Sequence, residues 1–186
     1  MIQNTNSTYG VVSILNHWLG GLLFLGIVAM GFYMTLLPRS PLKEQLLMLH
    51  QSLSVVLIAF VIIRILWKFM TPMPNIIRSY PLWEMILAKI VHSLLFLTLI
   101  SVPLSGWLLN NARGEDLMFF SYLVLPRITG ESIQSAEFAL NLHLYLTQGF
   151  LVLLFLHLMG SIKHHWIDKD NTLRRILRPE KLWFNR

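Results

Sequence analysis

Apolar residues along this chain do not alternate with polar ones; they come in four long blocks. The blocks run from about residues 11–37, 46–69, 87–109 and 140–162. Each reaches the ~20 residues that cross a ~30 Å hydrocarbon layer as a helix. Helices are the required form, because backbone polar groups in lipid must be satisfied within the segment. The period-two pattern of a membrane barrel is missing. Prolines punctuate the joins: "LPRSP" closes the first block, and "MTPMPNIIRSYP" separates the second from the third. The longest connector, 110–139, contains "LMFFSYLVL" (117–125), which is apolar but too short to span. It reads as an interfacial or loop-packing segment.

Composition sharpens this reading. The chain has 186 residues, of which 55% are hydrophobic and only 13% charged. Soluble domains carry about a quarter charged residues, so the excess of apolar surface points to a bilayer. The expected architecture is an all-α transmembrane four-helix bundle forming one integral domain, residues 1–186, with a basic tail at 163–186. The N-terminal "MIQNTNSTYG" lacks the basic region and cleavage site of a signal peptide, so the first block is read as a true span. The net charge of +6 is concentrated near the C-terminus. It is expected to set topology and touch lipid head groups rather than nucleic acid.

Lysine and arginine give the orientation. The connector after the second span and the tail, with Arg64, Lys68 and Lys89 in the adjoining spans, hold eleven of the fifteen basic residues. The remaining four are Arg39, Lys43, Arg113 and Arg127. Both termini are therefore expected in the cytoplasm, with the longest connector outside. Trp67, Trp83, Trp107 and Trp166 lie near span ends, as an aromatic belt would.

Ionisable side chains inside spans are costly and mark function by default. His143 and His157 bracket an uncharged stretch of the fourth span. Fourteen residues separate them, two heptads, so they face one seam roughly 21 Å apart along the axis. His17 matches His157 in depth, and His50 matches His143. Facing imidazoles from two helices are what a six-coordinate haem iron requires. The pairs His17/His157 and His50/His143 are thus expected to ligate two haems. With no cysteine in the chain, covalent attachment and iron–sulfur clusters are excluded, which leaves haem b. A dinuclear metal site fits worse, because the pairs lie far apart and no carboxylate lies mid-span.

"NHWLGG" around His17, "LHQSLS" around His50, the His143–His157 spacing and "KHHWIDKDNTLRRI" after the fourth span resemble the bacterial cytochrome b561 family. The resemblance covers nearly the whole chain. It implies four transmembrane helices and two b haems on His17, His50, His143 and His157. It further implies an oxidoreductase that takes electrons from a periplasmic one-electron donor, superoxide being the family's candidate, and passes them to ubiquinone. The 110–139 connector sets two basic residues against Glu115, Asp116, Glu131 and Glu137, a poor funnel for an anion. A haem-b anchor subunit serving a soluble dehydrogenase or hydrogenase is the alternative.

Other residues join this scheme. Arg64 lies fourteen residues after His50 and is expected to meet a haem propionate. His164, seven residues after His157 with Trp166 near it, is expected to face a quinone as hydrogen-bond donor or proton source. His92, in the third span, is read as structural or as a propionate contact. Gly21, Gly26 and Gly31 are read as helix-packing positions, and Gly149 lies between the fourth-span histidines. Each ligand is expected to donate from Nδ1–H to a backbone carbonyl, often its own i−4 group.

Overall fold

The structure, a computed structural model, describes residues 1–75 and 80–178. Arg78 and the last eight residues of the basic tail lie outside the described residues. Four long helices dominate: α1 (Val11–Leu36), α2 (Pro41–Met70), α3 (Leu82–Ala112) and α4 (Ile133–Ile162). All four are long and apolar enough to cross a membrane. A π-helical turn, Lys163–Ile167, continues α4, and α5 (Thr172–Leu177) follows.

Three helices begin earlier than their apolar blocks, and local capping explains why. Ser40 accepts from the Lys43 amide at 3.3 Å, and Pro41 takes the first helical position, where its missing N–H costs nothing. Ser132 accepts from the Ser135 amide at 3.3 Å and starts α4, one to two turns before the run of leucines. Pro81 supplies the carbonyl that receives the Glu84 and Met85 amides at the head of α3. Hydropathy sees the apolar middle of a helix; its polar ends are set by caps. Helix α3 continues through Pro103.

The apolar segment 117–125 is a small antiparallel hairpin, β1 (Met118–Phe119) with β2 (Leu123–Val124). Its turn places Phe120 and Ser121 in the left-handed region, with φ of 46° and 63°. Such a turn is unfavourable for side-chain-bearing residues, and α2 holds it from outside. The Phe120 amide donates to Ser52 Oγ at 2.9 Å, and the Ser121 hydroxyl donates to Met48 Sδ at 2.7 Å. These two partners flank His50 in sequence.

The described chain divides into two compact units. One, the loop unit, comprises 22–59 and 96–151. Its apolar core includes Phe24, Leu57, Ala139 and Phe150, with the two phenylalanine rings 4.1 Å apart. Its polar floor is Asn111, fully buried, which donates to the Glu115 carbonyl and accepts from the Ile128 amide. The other, the tail unit, comprises 1–21, 60–95 and 152–186. Here Asn4 ties the N-terminal segment to Thr71 and Pro72. Trp67 donates to Ser13 Oγ, and Trp18 donates to the Ile176 carbonyl, docking α5. Many leucines and isoleucines on the long helices are exposed, including Leu19, Leu22, Ile62, Ile63, Ile90 and Leu97. That is unremarkable where lipid is the solvent, because acyl chains are as apolar as the side chains.

Candidate cofactor site

Each unit brings two of the predicted histidines face to face. In the loop unit the ring centres of His50 (α2) and His143 (α4) are 6.4 Å apart, with planes at 75°. In the tail unit His17 (α1) and His157 (α4) are 6.2 Å apart, at 54°. Two metal–imidazole bonds of about 2 Å, in line through one metal, put ring centres about 6.3 Å apart. Both pairs meet that spacing. Rotation of each ring about the bond axis leaves the interplanar angle free.

His92 requires separate treatment. It is edge-on to His157 at 5.0 Å, closer than His17 is. That separation is too short for two imidazoles on opposite sides of one metal. Its Nδ1 is 2.6 Å from the Ala88 carbonyl, four residues back on its own helix. The self-capping geometry anticipated for the ligands is therefore found on the histidine not assigned as one.

The pair in the loop unit is oriented by neighbouring helices instead. His143 Nδ1 lies 3.1 Å from the Val102 carbonyl and 3.0 Å from Ser105 Oγ, both on α3. The Ser105 hydroxyl itself donates to Val102 O at 2.7 Å, so the imidazole N–H is the group free to complete the set. The ring comes this close because residue 106 is glycine: a Cβ there would stand 3.3 Å from His143 Cε1. The same device recurs on α1. A Cβ on Gly31 would stand 3.3 Å from His50 Cε1. His50 Nδ1 is buried and has no hydrogen-bond partner among the described residues. Each histidine of this pair thus leans on a glycine of the adjacent helix, and His143 also turns its Nδ1 to the carbonyl one helical turn before its glycine.

Gly31 was read as helix packing, and Gly106, Ser105 and Val102 carried no sequence signal strong enough to single out. By contrast, an added Cβ at Gly21, Gly26 or Gly149 meets nothing within 4 Å. The only available clue was the offset of carbonyl and glycine on α3, which becomes visible once the partner helix is known.

Polar satisfaction also bears on whether a cofactor fits. Buried side-chain polar atoms nearly always have partners. In the loop unit the buried His50 Nδ1, Ser101 Oγ, Trp107 Nε1 and Asn110 Nδ2 have no partner among the described residues. Trp107 and Asn110 follow Gly106 by one and four residues on α3. An indole N–H and an amide N–H are suitable donors for an anionic group such as a porphyrin propionate. The unpaired donors and the facing imidazoles together fit a haem.

The tail unit has a different electrostatic character. Arg64 Nη2 stands 3.4 Å from His17 Nδ1, a long contact by the standard of N–H donors. A guanidinium can only donate, and an iron-bound imidazole needs Nδ1 to carry its own proton. Arg64 is therefore placed to serve an anion beside His17 rather than the ring itself.

Beyond α4, the π turn gathers charged groups. Lys163 Nζ pairs with Glu84 and with Asp168, each at 2.9 Å. His164 Nδ1 lies 3.0 Å from Asp170 and 3.2 Å from Asp168. The Tyr80 hydroxyl donates to the same Asp170 carboxylate. Burial, then the hydrogen bond to Asp170, pushes the Tyr80 phenol up to about 12. Burial opposes ionisation of Asp170, but the Tyr80 hydroxyl and the Thr172 amide outweigh it, and the carboxyl drops to about 2. Trp166 is 69% exposed and stands outside this network.

Four membrane-length helices with two facing imidazole pairs fit one class of protein, the integral membrane haem proteins. Comparison with known proteins narrows the class. A family model described as prokaryotic cytochrome b561 matches residues 8–179. The chain is 34% identical over 175 residues to "Cytochrome b561 homolog 2" of Escherichia coli (strain K12), covering 94% of this chain and 93% of that protein. It is 28% identical over 177 residues to "Probable superoxide oxidase CybB" of Yersinia pestis, covering 93% and 97%. "Cytochrome b561 homolog 1" of E. coli matches at 28% over 132 residues, covering 71% of this chain and 74% of that protein. The chain belongs to the prokaryotic cytochrome b561 family. It is accordingly a bacterial membrane protein of a family that binds haem b and transfers electrons across the membrane.

Proposed function

We propose that this protein holds two b haems and carries electrons across the inner membrane from a periplasmic one-electron donor to ubiquinone. The observation that carries the reading is the spacing of the two imidazole pairs, 6.2 and 6.4 Å between ring centres. His50 and His143 would hold the haem on the periplasmic side, and His17 and His157 the one on the cytoplasmic side. The haems supply a one-electron iron couple, and everything else falls to the chain. The Val102 carbonyl orients the His143 ring and favours its Nδ1–H tautomer. Trp107 and Asn110 would receive propionates in the loop unit, and Arg64 in the tail unit. The long helices would keep water from the irons.

The charge bias of the sequence supports both termini in the cytoplasm. Superoxide is the donor favoured by family membership and by the name of the Yersinia relative. The acidic 110–139 connector gives that anion no steering, and its exposed Arg127 is already paired with Asp116 at 2.7 Å. At the cytoplasmic side His164, with Nδ1 held by carboxylates, leaves Nε2 as the edge available to a quinone oxygen.

Haem quantification and a reduced-minus-oxidised spectrum of the purified protein test the reading. Two b haems per chain are expected, both reduced when superoxide is generated and both reoxidised by added ubiquinone. A single haem, or a spectrum lacking bis-imidazole character, would refute the two-site scheme. Haems indifferent to superoxide but reducible by another donor would remove that substrate alone.

A further inference from the structure

We propose that Asp170, backed by Tyr80, is the positioning residue for His164 in quinone chemistry, fixing which ring nitrogen works and which is held. The proposal rests on the reading that His164 faces the quinone. Its own basis is a network assembled from three separate pieces of chain. Tyr80 comes from the segment before α3. His164 comes from the π turn after α4. Asp168 and Asp170 come from the bend that follows.

The geometry is specific. The Asp170 side chain is 6% exposed and that of His164 is 22% exposed, so the contact is largely screened from water. Asp170 accepts from the Tyr80 hydroxyl and from the Thr172 amide at 2.7 Å. Its remaining capacity is turned to His164 Nδ1 at 3.0 Å. The Tyr80 ring also stands edge-on to the His164 ring, with centres 5.0 Å apart. Ring rotation is thus opposed on one side by a phenol and on another by two carboxylates.

The π turn makes this arrangement possible. Its wide hydrogen-bonding ring runs from the Asp168 amide to the Lys163 carbonyl at 3.0 Å, and the Asp170 amide returns to the His164 carbonyl at 3.1 Å. The chain thereby folds both aspartates back over the imidazole, which a continuing α-helix would carry away from it. Lys163 neutralises Asp168 and Glu84, which leaves Asp170 as the carboxylate least committed to another cation. Single π turns inside α-helices concentrate at functional sites.

The chemical consequence follows from imidazole's two nitrogens. With Nδ1–H donated to Asp170, Nε2 is the nitrogen that gains and loses the mobile proton. Reduction of a quinone to a quinol takes two electrons, arriving singly, and two protons. For each proton given by His164, the Nε2–H bond breaks as a quinone O–H bond forms. The ring left behind is the Nδ1–H tautomer that Asp170 already favours, and water returns the proton to Nε2. Asp170 remains a carboxylate throughout, and Tyr80 keeps its proton. Their contribution is orientation and stabilisation of the charged ring, the role a buried aspartate plays behind a general-acid histidine.

The test uses the haem-loaded full chain in detergent, reduced with limiting dithionite and reoxidised by a short-chain ubiquinone analogue. Asp170→Asn is expected to lower kcat by about ten- to a hundredfold, to leave KM and haem content unchanged, and to enlarge the solvent deuterium effect. Asp170→Glu should recover most of the rate. Tyr80→Phe, a smaller change that removes only the phenolic O–H, should give a weaker loss with the same isotope signature. Independently of turnover, ¹⁵N NMR of ring-labelled protein should show His164 as the Nδ1–H tautomer, shifting toward Nε2–H in Asp170→Asn. Wild-type kcat in Asp170→Asn alongside a slow His164→Gln would overturn the positioning role while leaving the quinone site standing. Wild-type kcat in both variants would remove His164 from the quinone site altogether. A wild-type His164 found as the Nε2–H tautomer would also overturn the proposal.

Discussion

The two units hold the same pair of side chains in opposite electrostatic company. In the loop unit, His143 turns its Nδ1 to a backbone carbonyl and a serine hydroxyl, His50 Nδ1 is unpartnered among the described residues, and both rings rest on glycine. The unpaired donors around them are neutral. In the tail unit, His17 has a guanidinium 3.4 Å from its Nδ1, His157 has a third imidazole at 5.0 Å, and a dense set of ion pairs lies beyond the end of α4. A carbonyl accepting from Nδ1–H makes an imidazole a stronger electron donor to iron, whereas a nearby cation favours the reduced metal. On the proposed haem scheme, identical ligation is tuned toward a lower potential in the loop unit and a higher one in the tail unit. That difference favours electron flow from the first to the second.

Substitutions can break this comparison from either side. The largest effect belongs to His143→Ala, which should cost the protein half its haem and leave the optical signature of the other haem intact. Pyridine haemochrome quantification reads this directly. Equal loss of both haems would mean that the two units do not load independently. Gly106→Val comes next. The new Cβ would stand 3.3 Å from His143 Cε1 and its methyls would press closer, so haem should fall selectively from the loop unit. Gly149→Ala, with open space around it, serves as the control and should load normally.

Arg64→Gln should lower the midpoint potential of the tail-unit haem by on the order of 50 mV, about one tenfold change in a one-electron equilibrium. The loop-unit haem should not move, and redox titration separates the two. If the other haem shifts instead, the assignment of Arg64 to the His17/His157 pair is wrong. Ser105→Ala removes one neutral hydrogen-bonding partner of about 1 kcal/mol and leaves Val102 O in place. A shift of the loop-unit haem smaller than that of Arg64→Gln is expected.

The smallest effect concerns acid. Asp170 has its carboxyl lowered from 3.8 to about 2, so its contribution to the tail-unit fold is complete above its unfolded pKa. That contribution disappears as pH falls from about 4 through 2. Asp170→Asn should flatten this part of a tryptophan-fluorescence titration of the tail unit, where Trp18 contacts α5.

Much of this was readable along the chain. The four spans are visible because the bilayer imposes length and apolarity on each segment separately, with no knowledge of its neighbours. The histidine pairs are visible because two heptads on one helix return to the same face and because ionisable groups in spans are rare. The glycine cradles of His50 and His143 were not visible. A glycine in an apolar helix is common, and only the partner ring distinguishes Gly31 and Gly106 from Gly26 and Gly149. Arg64 was assigned to a propionate without its contact to His17. His164 was singled out, yet its partner Tyr80 lies 84 positions away in the sequence.

Taken alone, the sequence determined that there are four apolar helices long enough to span and which face of the fourth carries both histidines. These are one-dimensional properties, set by the repeat of a single helix against a uniform solvent. The tertiary structure decided that His143 and His164 are held at Nδ1 and by what, because a hydrogen bond of about 3 Å between distant segments depends on how closely two backbones approach. That approach is settled by packing across helices, at glycines and turns whose meaning the linear chain does not carry.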